Sequence, residues 1–334
     1  MEENAYDLCV QCPRNCKARR TEGQTGFCGE TEQLRLAAAC LHFGEEPPLT
    51  VFGGSGTLFF TGCTLRCAFC QNYQISRQGM GAEISTDEFA RICIKLQSLG
   101  AENINLVTAS HHIPKTAEYL KHARKQGLSI PVAWNSSGYE SVESLMLLKD
   151  LVDIWLPDFK TLNPALSREL FQAESYPSAA KKAVSWMLAQ SPLELASITK
   201  NGITKEKMIR GVIVRHLVLP GRIDDSIAVL DWLKQNADGK GFVSLMSQYT
   251  PVPFSGTEEE KAWAGKSLSS FQNRLISAEE DETLRDLIEA YGFETLFYQD
   301  VSDDTSWLPD FCKTQPFSSS LSVPVWHWKS GFCA

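Results

Sequence analysis

Short apolar runs rich in β-branched residues recur at positions 57–61, 104–108, 130–134, 152–156, 211–215 and 242–246, each bounded by polar or turn-forming residues. Runs of this length and composition read as buried strands. Most are separated by stretches in which apolar residues return with helical spacing. The clearest opens at Ser85-Thr86-Asp87-Glu88, a capping box, continues from Phe89 to Leu99 and stops at Gly100. Strands that alternate with helices are joined by crossovers, and crossovers join parallel strands. The pattern predicts an α/β domain with a parallel sheet, either a barrel or a doubly wound layer.

Residues 161–210 are too many for a simple crossover and read as an insertion with two or more helices, one of them across 179–190. Later, Thr257 to Glu260 and Ser277 to Glu280 form two more capping boxes, the second opening a charged helix that Gly292 closes. Residues 293–298 read as a seventh strand and 307–334 as irregular. The expected division is a Cys-rich metal-binding segment over 1–50, the α/β domain over 51–255, and a helical and irregular extension over 256–334.

Composition narrows the picture modestly. A hydrophobic content of 43% over 334 residues supports a sizeable core, and a formal charge of -8 argues against a general nucleic-acid footprint. The chain has no apolar run of membrane-spanning length, and its start lacks a basic flank followed by an apolar stretch. The expectation is a cytoplasmic protein without a membrane partner.

The eleven cysteines change the picture more. In a reducing compartment, clustered cysteines bind metal more often than they form disulfides. Two groups stand out, Cys9, Cys12, Cys16 and Cys28, then Cys63, Cys67 and Cys70; the scattered Cys40, Cys93, Cys312 and Cys333 read as packing residues. The second group lies directly after the first strand, in Cys63-Thr-Leu-Arg-Cys67-Ala-Phe-Cys70. In parallel α/β folds, sites form at the carboxyl ends of strands. Three thiolates on one short loop can wrap a compact centre with an open position. On spacing alone that centre is a catalytic zinc or an iron-sulfur cluster with one free iron.

The Cys-x-x-x-Cys-x-x-Cys pattern, with Phe69 before its last cysteine, resembles the signature of the radical S-adenosylmethionine (SAM) superfamily. Further matching segments are Gly53-Gly-Ser-Gly-Thr-Leu-Phe-Phe-Thr-Gly62, Gln71-Asn72-Tyr73, Trp134-Asn-Ser-Ser-Gly-Tyr-Glu140, Leu156-Pro-Asp-Phe-Lys160, Val214-Arg-His-Leu-Val-Leu-Pro-Gly221 and Leu245-Met-Ser-Gln-Tyr249. With them the chain resembles the pyruvate formate-lyase-activating-enzyme-like branch over residues 9–250.

The resemblance implies a partial (β/α)6 barrel and a 4Fe-4S cluster on Cys63, Cys67 and Cys70, whose fourth iron is chelated by the methionine part of SAM. Reductive cleavage of SAM then gives a 5′-deoxyadenosyl radical, which abstracts hydrogen from a protein, peptide or small-molecule substrate. Activation of a glycyl radical enzyme is the best-known precedent. An electron donor such as flavodoxin or ferredoxin, anaerobic conditions and an oxidoreductase activity are implied with it.

By the same analogy Phe69 lies near the adenine. Thr108 and Ser110 stand where many members carry a Gly-Gly-Glu segment that binds the methionine amino group, which is a departure. Asn135 and Ser136 are placed for ribose hydroxyls, and Arg215 or Lys160 for the methionine carboxylate. Each has a structural alternative: packing for Phe69, turns and caps for Thr108, Ser110, Asn135 and Ser136, and an ion pair with Asp158 for Arg215. His111, His112, Asp158, His216, Gln248 and Tyr249 follow strand ends and border the expected substrate cavity. A radical abstraction needs no general base, so the histidines orient substrate or satisfy buried hydrogen bonds.

The amino-terminal four thiolates, Cys9, Cys12, Cys16 and Cys28, are a complete ligand set for a second 4Fe-4S cluster or for zinc. Surrounding Arg, Lys and Gly residues suggest a knuckle that needs metal to fold. Activases with additional clusters carry them after the first motif, so this placement departs from the branch. The rival from another class is a zinc-dependent structural or regulatory binding protein in which both cysteine groups are structural.

Overall fold

The computed structural model describes residues 4–254, 256–302, 304–305 and 307–333; Ala334, at the end of the stretch read as irregular, lies outside them. The strands are β1 (Arg35–His42), β2 (Ser55–Phe60), β3 (Ala82–Glu83), β4 (Ile104–Val107), β5 (Val132–Ser136), β6 (Ile154–Pro157), β7 (Glu194–Lys200), β8 (Ile203–Leu217), β9 (Phe242–Met246), β10 (Leu296–Gln299), β11 (Ser322–His327) and β12 (Gly331–Phe332). The apolar runs become β2, β4, β5, β6, β8, β9 and β10, which pair in that order and all in parallel. The fold is the expected α/β type with a mostly parallel sheet. Beyond β2 the sheet continues antiparallel through β1, β11 and β12, so its path is open between β10 and β12.

Helices between the parallel strands cover one face. The helices Thr86–Ser98 and Ile113–Lys125 turn Phe89, Ile92, Leu96, Tyr119 and Leu120 into a large core cluster with Leu58, Leu106 and Trp134. On the other face, Leu49 from the one-turn helix Pro47–Thr50 packs with Ala133, Ile154, Leu156 and Ile213. Phe311 and Phe317 set their rings 5.4 and 5.2 Å from that of Phe59. No helix among the described residues is long and apolar enough to cross a membrane.

Three segments differ from the sequence expectation. The insertion does carry the helices Pro164–Phe171 and Tyr176–Gln190, but its second half is the antiparallel β7–β8 hairpin, turning at Asn201 and Gly202 with φ of 53° and 78°. Two consecutive positive φ values make a hairpin turn whose twist matches the strands. The tail read as irregular supplies β11 and β12. At the helix Thr86–Ser98 the capping box is half formed: Ser85 accepts from the Glu88 N–H, but the Glu88 carboxylate instead takes the Trp326 indole N–H at 2.9 Å.

Candidate metal and cofactor site

Strand β2 delivers its last residues to a loop that the next helix holds in place. The Gly62 N–H donates to the Ile75 carbonyl, and the Thr61 hydroxyl to the Met80 carbonyl at 2.8 Å. The loop turns tightly enough that Arg66, between Cys63 and Cys67, sits at φ 54°. Cys63 and Cys67 are buried and Cys70 half-buried, and none forms a disulfide. The Leu65 N–H donates to the Cys63 sulfur at 3.3 Å and the Ser76 hydroxyl to the Cys70 sulfur at 3.4 Å. Burial, then the neighbouring Cys70 thiol, push Cys63 above the ordinary thiol range. Burial likewise pushes Cys67 up, and the Lys160 ammonium pulls it back. The three sulfurs are therefore electrostatic neighbours.

Two cations face this group. Lys160 follows β6 and pairs with Asp158 at 2.7 Å; burial disfavours its charge, but Asp158 and Cys67 hold its pKa above the usual lysine value. Arg77 lies just past the loop. All three of its guanidinium nitrogens are buried without a hydrogen-bond partner, its planar head rests 4.1 Å from the Phe254 ring centre, and Cys70 and Cys67 are within electrostatic reach. A buried guanidinium left bare is costly unless an anion completes it. Three free thiols facing an ammonium and an unpaired guanidinium suit an anionic thiolate-bound centre, and an iron-sulfur cluster fits this donor set.

The other candidate residues divide by position. Asn135, Asp158, Lys160 and Arg215 come together at adjoining strand ends. Arg215 pairs with Asp158 at 2.9 Å, donates to the Asn135 side-chain oxygen and reaches Glu45 at 3.5 Å. The ion pair set beside the carboxylate role is thus formed, and Asp158 stays below the ordinary range because Arg215 and Lys160 outweigh burial. Ser110 donates to the buried Glu140 carboxyl, with Ser136 also beside it, and burial raises the Glu140 pKa despite both hydroxyls. Thr108 holds φ 63°, which a β-branched residue rarely adopts. Phe69 and Tyr249 meet with ring centres 6.0 Å apart, both also against Phe271. Gln248 follows β9, half-buried.

The histidines point elsewhere. His216 bridges the Phe159 carbonyl at 2.8 Å and the Ser226 hydroxyl at 3.0 Å, and burial lowers its pKa to about 4. His112 meets Arg20 at 3.0 Å and the Tyr6 hydroxyl at 3.3 Å. His111 is 2% exposed, and neither of its ring nitrogens completes a hydrogen bond.

Cys9, Cys12, Cys16 and Cys28 line one cavity, together with Arg20 and His111. This knuckle sits directly on the Cys63–Cys70 loop. Arg14 donates to the carbonyls of Thr64 at 2.8 Å, Phe171 at 2.6 Å and Gln172, and stacks 3.7 Å from the Phe27 ring centre. Arg20, 1% exposed, donates to the Thr31 carbonyl at 3.0 and 2.5 Å and to the His111 carbonyl at 2.6 Å, with the Cys9 sulfur at 3.7 Å. Among the described residues no three His, Cys, Asp or Glu side chains close round a point as a single ion requires. Sequence reasoning missed Arg77, Glu140 and Glu45, whereas Arg14 and Arg20 stand among the basic residues that it set round the amino-terminal cysteines.

Residues 57–233 match the family model described as the Radical SAM superfamily. An uncharacterized protein of Methanocaldococcus jannaschii, MJ0674, is 30% identical over 303 residues, covering 88% of this chain and 78% of that one. Among solved structures, Streptococcus suis SuiB bound to S-adenosylmethionine aligns at a TM-score of 0.44 and 12% identity, over 71% of this chain and 45% of that one, so the match spans under half of SuiB. The FeFe-hydrogenase maturase HydG from Carboxydothermus hydrogenoformans aligns at a TM-score of 0.44 and 15% identity, over 78% of this chain and 60% of that one.

Proposed function

The chain belongs to the radical SAM superfamily, and on that premise we propose that it reductively cleaves SAM at a 4Fe-4S cluster on Cys63, Cys67 and Cys70 and abstracts hydrogen from a protein, peptide or small-molecule substrate. The observation that carries the reading is the Cys63–Cys70 loop at the end of β2, with Lys160 and Arg77, whose guanidinium has no hydrogen-bond partner, within electrostatic reach of its sulfurs. When bound there, the cluster supplies one electron to SAM, and the 5′-deoxyadenosyl radical so formed takes the hydrogen atom.

The protein's own residues position and shield. The N–H and O–H groups donated by Leu65 and Ser76 stabilise the thiolate forms of Cys63 and Cys70. Lys160, anchored by Asp158, offsets negative charge at Cys67. Arg215 is engaged by Asp158, Asn135 and Glu45, so it organises the strand ends, and Arg77 takes the methionine carboxylate instead. Ser110, Ser136 and Glu140 offer polar partners for the ammonium and ribose. Phe69, Tyr249 and Phe271 present aromatic faces for the adenine and back the loop. A flavodoxin- or ferredoxin-type donor, an anaerobic cytoplasmic setting and glycyl-radical activation as one form of the reaction belong to the same proposal.

The test is anaerobic reconstitution with iron and sulfide, followed by an assay for 5′-deoxyadenosine after dithionite reduction. Wild type forms the nucleoside and the Cys63/Cys67/Cys70 triple alanine variant does not. Wild type that binds iron yet forms none overturns the proposal. A glycine-centred signal in electron paramagnetic resonance on a candidate partner separates the activase form from metabolite or peptide modification.

A further inference from the structure

We propose that Cys9, Cys12, Cys16 and Cys28 hold a second iron-sulfur cluster, and that it passes its electron to the first centre across a single hydrogen bond between Cys28 and Cys63. The relay half rests on the reading of the first centre given above.

The two cysteine loops are built alike. In Cys63-x-x-x-Cys67 the first sulfur accepts the N–H two residues on, at Leu65, and the residue before the second cysteine, Arg66, is left-handed at φ 54°. In Cys12-x-x-x-Cys16 the residue before the second cysteine, Asn15, is likewise left-handed, at φ 45°. The same bend turns each chain so that the next thiol follows the first.

The four thiols line one cavity, and four cysteines are the full donor set of an iron-sulfur cluster. Gly26 keeps that cavity clear: a Cβ there would lie 2.9 Å from the Cys16 sulfur and 3.6 Å from the Cys28 sulfur. His111 supplies the second, independent sign. Its buried ring lines the cavity with neither nitrogen in a well-formed hydrogen bond, and the sulfurs of a bound cluster accept an N–H.

The connection to the first centre is covalent except at one point. The Cys63 N–H donates to the Cys28 carbonyl at 3.4 Å, and Gly62 lies so close that a Cβ there would stand 3.0 Å from the same oxygen. The path thus runs from one ligand's sulfur through its backbone, across this bond, to the other ligand's sulfur. Cys16 is exposed while Cys9, Cys28, Cys63 and Cys67 are buried, so the second centre reaches solvent at its Cys16 edge, where a protein donor can approach. One electron from a reduced flavodoxin- or ferredoxin-type donor enters the second cluster and moves on to the first, with no bond made or broken in either transfer.

The test uses full-length protein, reconstituted anaerobically, with iron, sulfide and zinc counted per chain. Wild type should hold about eight irons and the Cys63/Cys67/Cys70 triple alanine variant about four, the latter with an electron paramagnetic resonance signal of a reduced cluster. A triple variant that holds zinc and no iron overturns the second cluster. For the relay, nucleoside formation by a Cys12→Ser/Cys16→Ser variant is compared with reduced flavodoxin and with excess dithionite. The loss with flavodoxin should exceed the loss with dithionite at least tenfold, and equal losses overturn the relay. Gly26→Ala keeps every cysteine and guards against misfolding: it should lower iron by up to about four per chain while Cys63-dependent nucleoside formation with dithionite persists, and unchanged iron counts against the cavity as the site. Failure of the first centre has another signature, in which the triple variant keeps all of the wild-type iron and wild type forms no nucleoside with either reductant.

Discussion

Replacing Arg20 by methionine removes a buried cation that ties the amino-terminal knuckle to the parallel-sheet domain without a carboxylate partner. The guanidinium satisfies two buried acceptors, the His111 carbonyl and the His112 ring at 3.0 Å, and the part-buried Thr31 carbonyl. Methionine fills a similar volume but donates nothing, and a buried acceptor left without a donor costs about 1–3 kcal/mol. Relaxation and the relief of no longer burying a charge offset part of the total, which leaves about 3 kcal/mol. That energy belongs to the docking of the knuckle, so it shows as local opening rather than global unfolding. At about 1.4 kcal/mol per decade, amide hydrogen exchange over residues 6–31 of the anaerobically reconstituted protein should speed up roughly a hundredfold, with exchange in β4, β5 and β6 unchanged. Exchange over 6–31 within threefold of wild type would refute the reasoning. Uniform acceleration across the parallel strands would refute its locality.

Further expectations follow from the same contacts. Arg77→Gln should raise the KM for SAM about tenfold while the iron content holds, because the guanidinium is the one left free for a carboxylate; an unchanged KM would return that role to Arg215. Gly62→Ala should destabilise by about 3 kcal/mol or prevent soluble expression, since a Cβ there would fall 2.4 Å from Glu30 Cγ at a backbone φ of 84°, and a melting temperature within 2 °C of wild type would contradict this. Glu280 gives a pH prediction. Burial opposes its charge, but Arg274 at 2.6 Å and the N–H groups of Ser277 and Gly221 hold its pKa down to about 2. Because the folded value is depressed, its contribution is whole above the unfolded pKa near 4.5 and fades as pH falls toward 2. After screening by the solvent that reaches Arg274, it is worth about 1–2 kcal/mol. The stability gap between wild type and Glu280→Gln, measured by urea denaturation, should be constant from pH 6 to 8 and shrink below about 4.5; a gap that widens in acid would contradict the assignment.

The parallel strands were legible because burial on both faces makes a strand an unbroken apolar run, which a single sequence displays directly. Strand β1 was not, since Ala37, Ala38 and Ala39 carry no strand preference and owe their place to β2 and β11 on either side. The β7–β8 hairpin did announce itself through Asn201-Gly202, but its flanks are exposed and polar, so no apolar alternation drew attention to them. The cysteine loops were legible because their ligands are local in sequence. Arg77 was not, because its interest lies in having no hydrogen-bond partner, a fact that exists only once the chain has folded round it. His111 and His112 stood out as a pair, yet their direction depends on a knuckle that docks from a distant part of the chain.

The pairing of β1 with β11 sets the order in which the molecule can be finished. Ala38 to His42 find their second neighbours only in residues 322–327, which leave the ribosome roughly fifteen seconds to a minute later at about 5–20 residues per second. For that interval one side of β1 is an open strand edge, the kind of surface that captures other nascent chains. Cells that make many copies of this chain at once should therefore lose more of it to aggregates than cells that make few, and a chaperone that shields strand edges should narrow the difference.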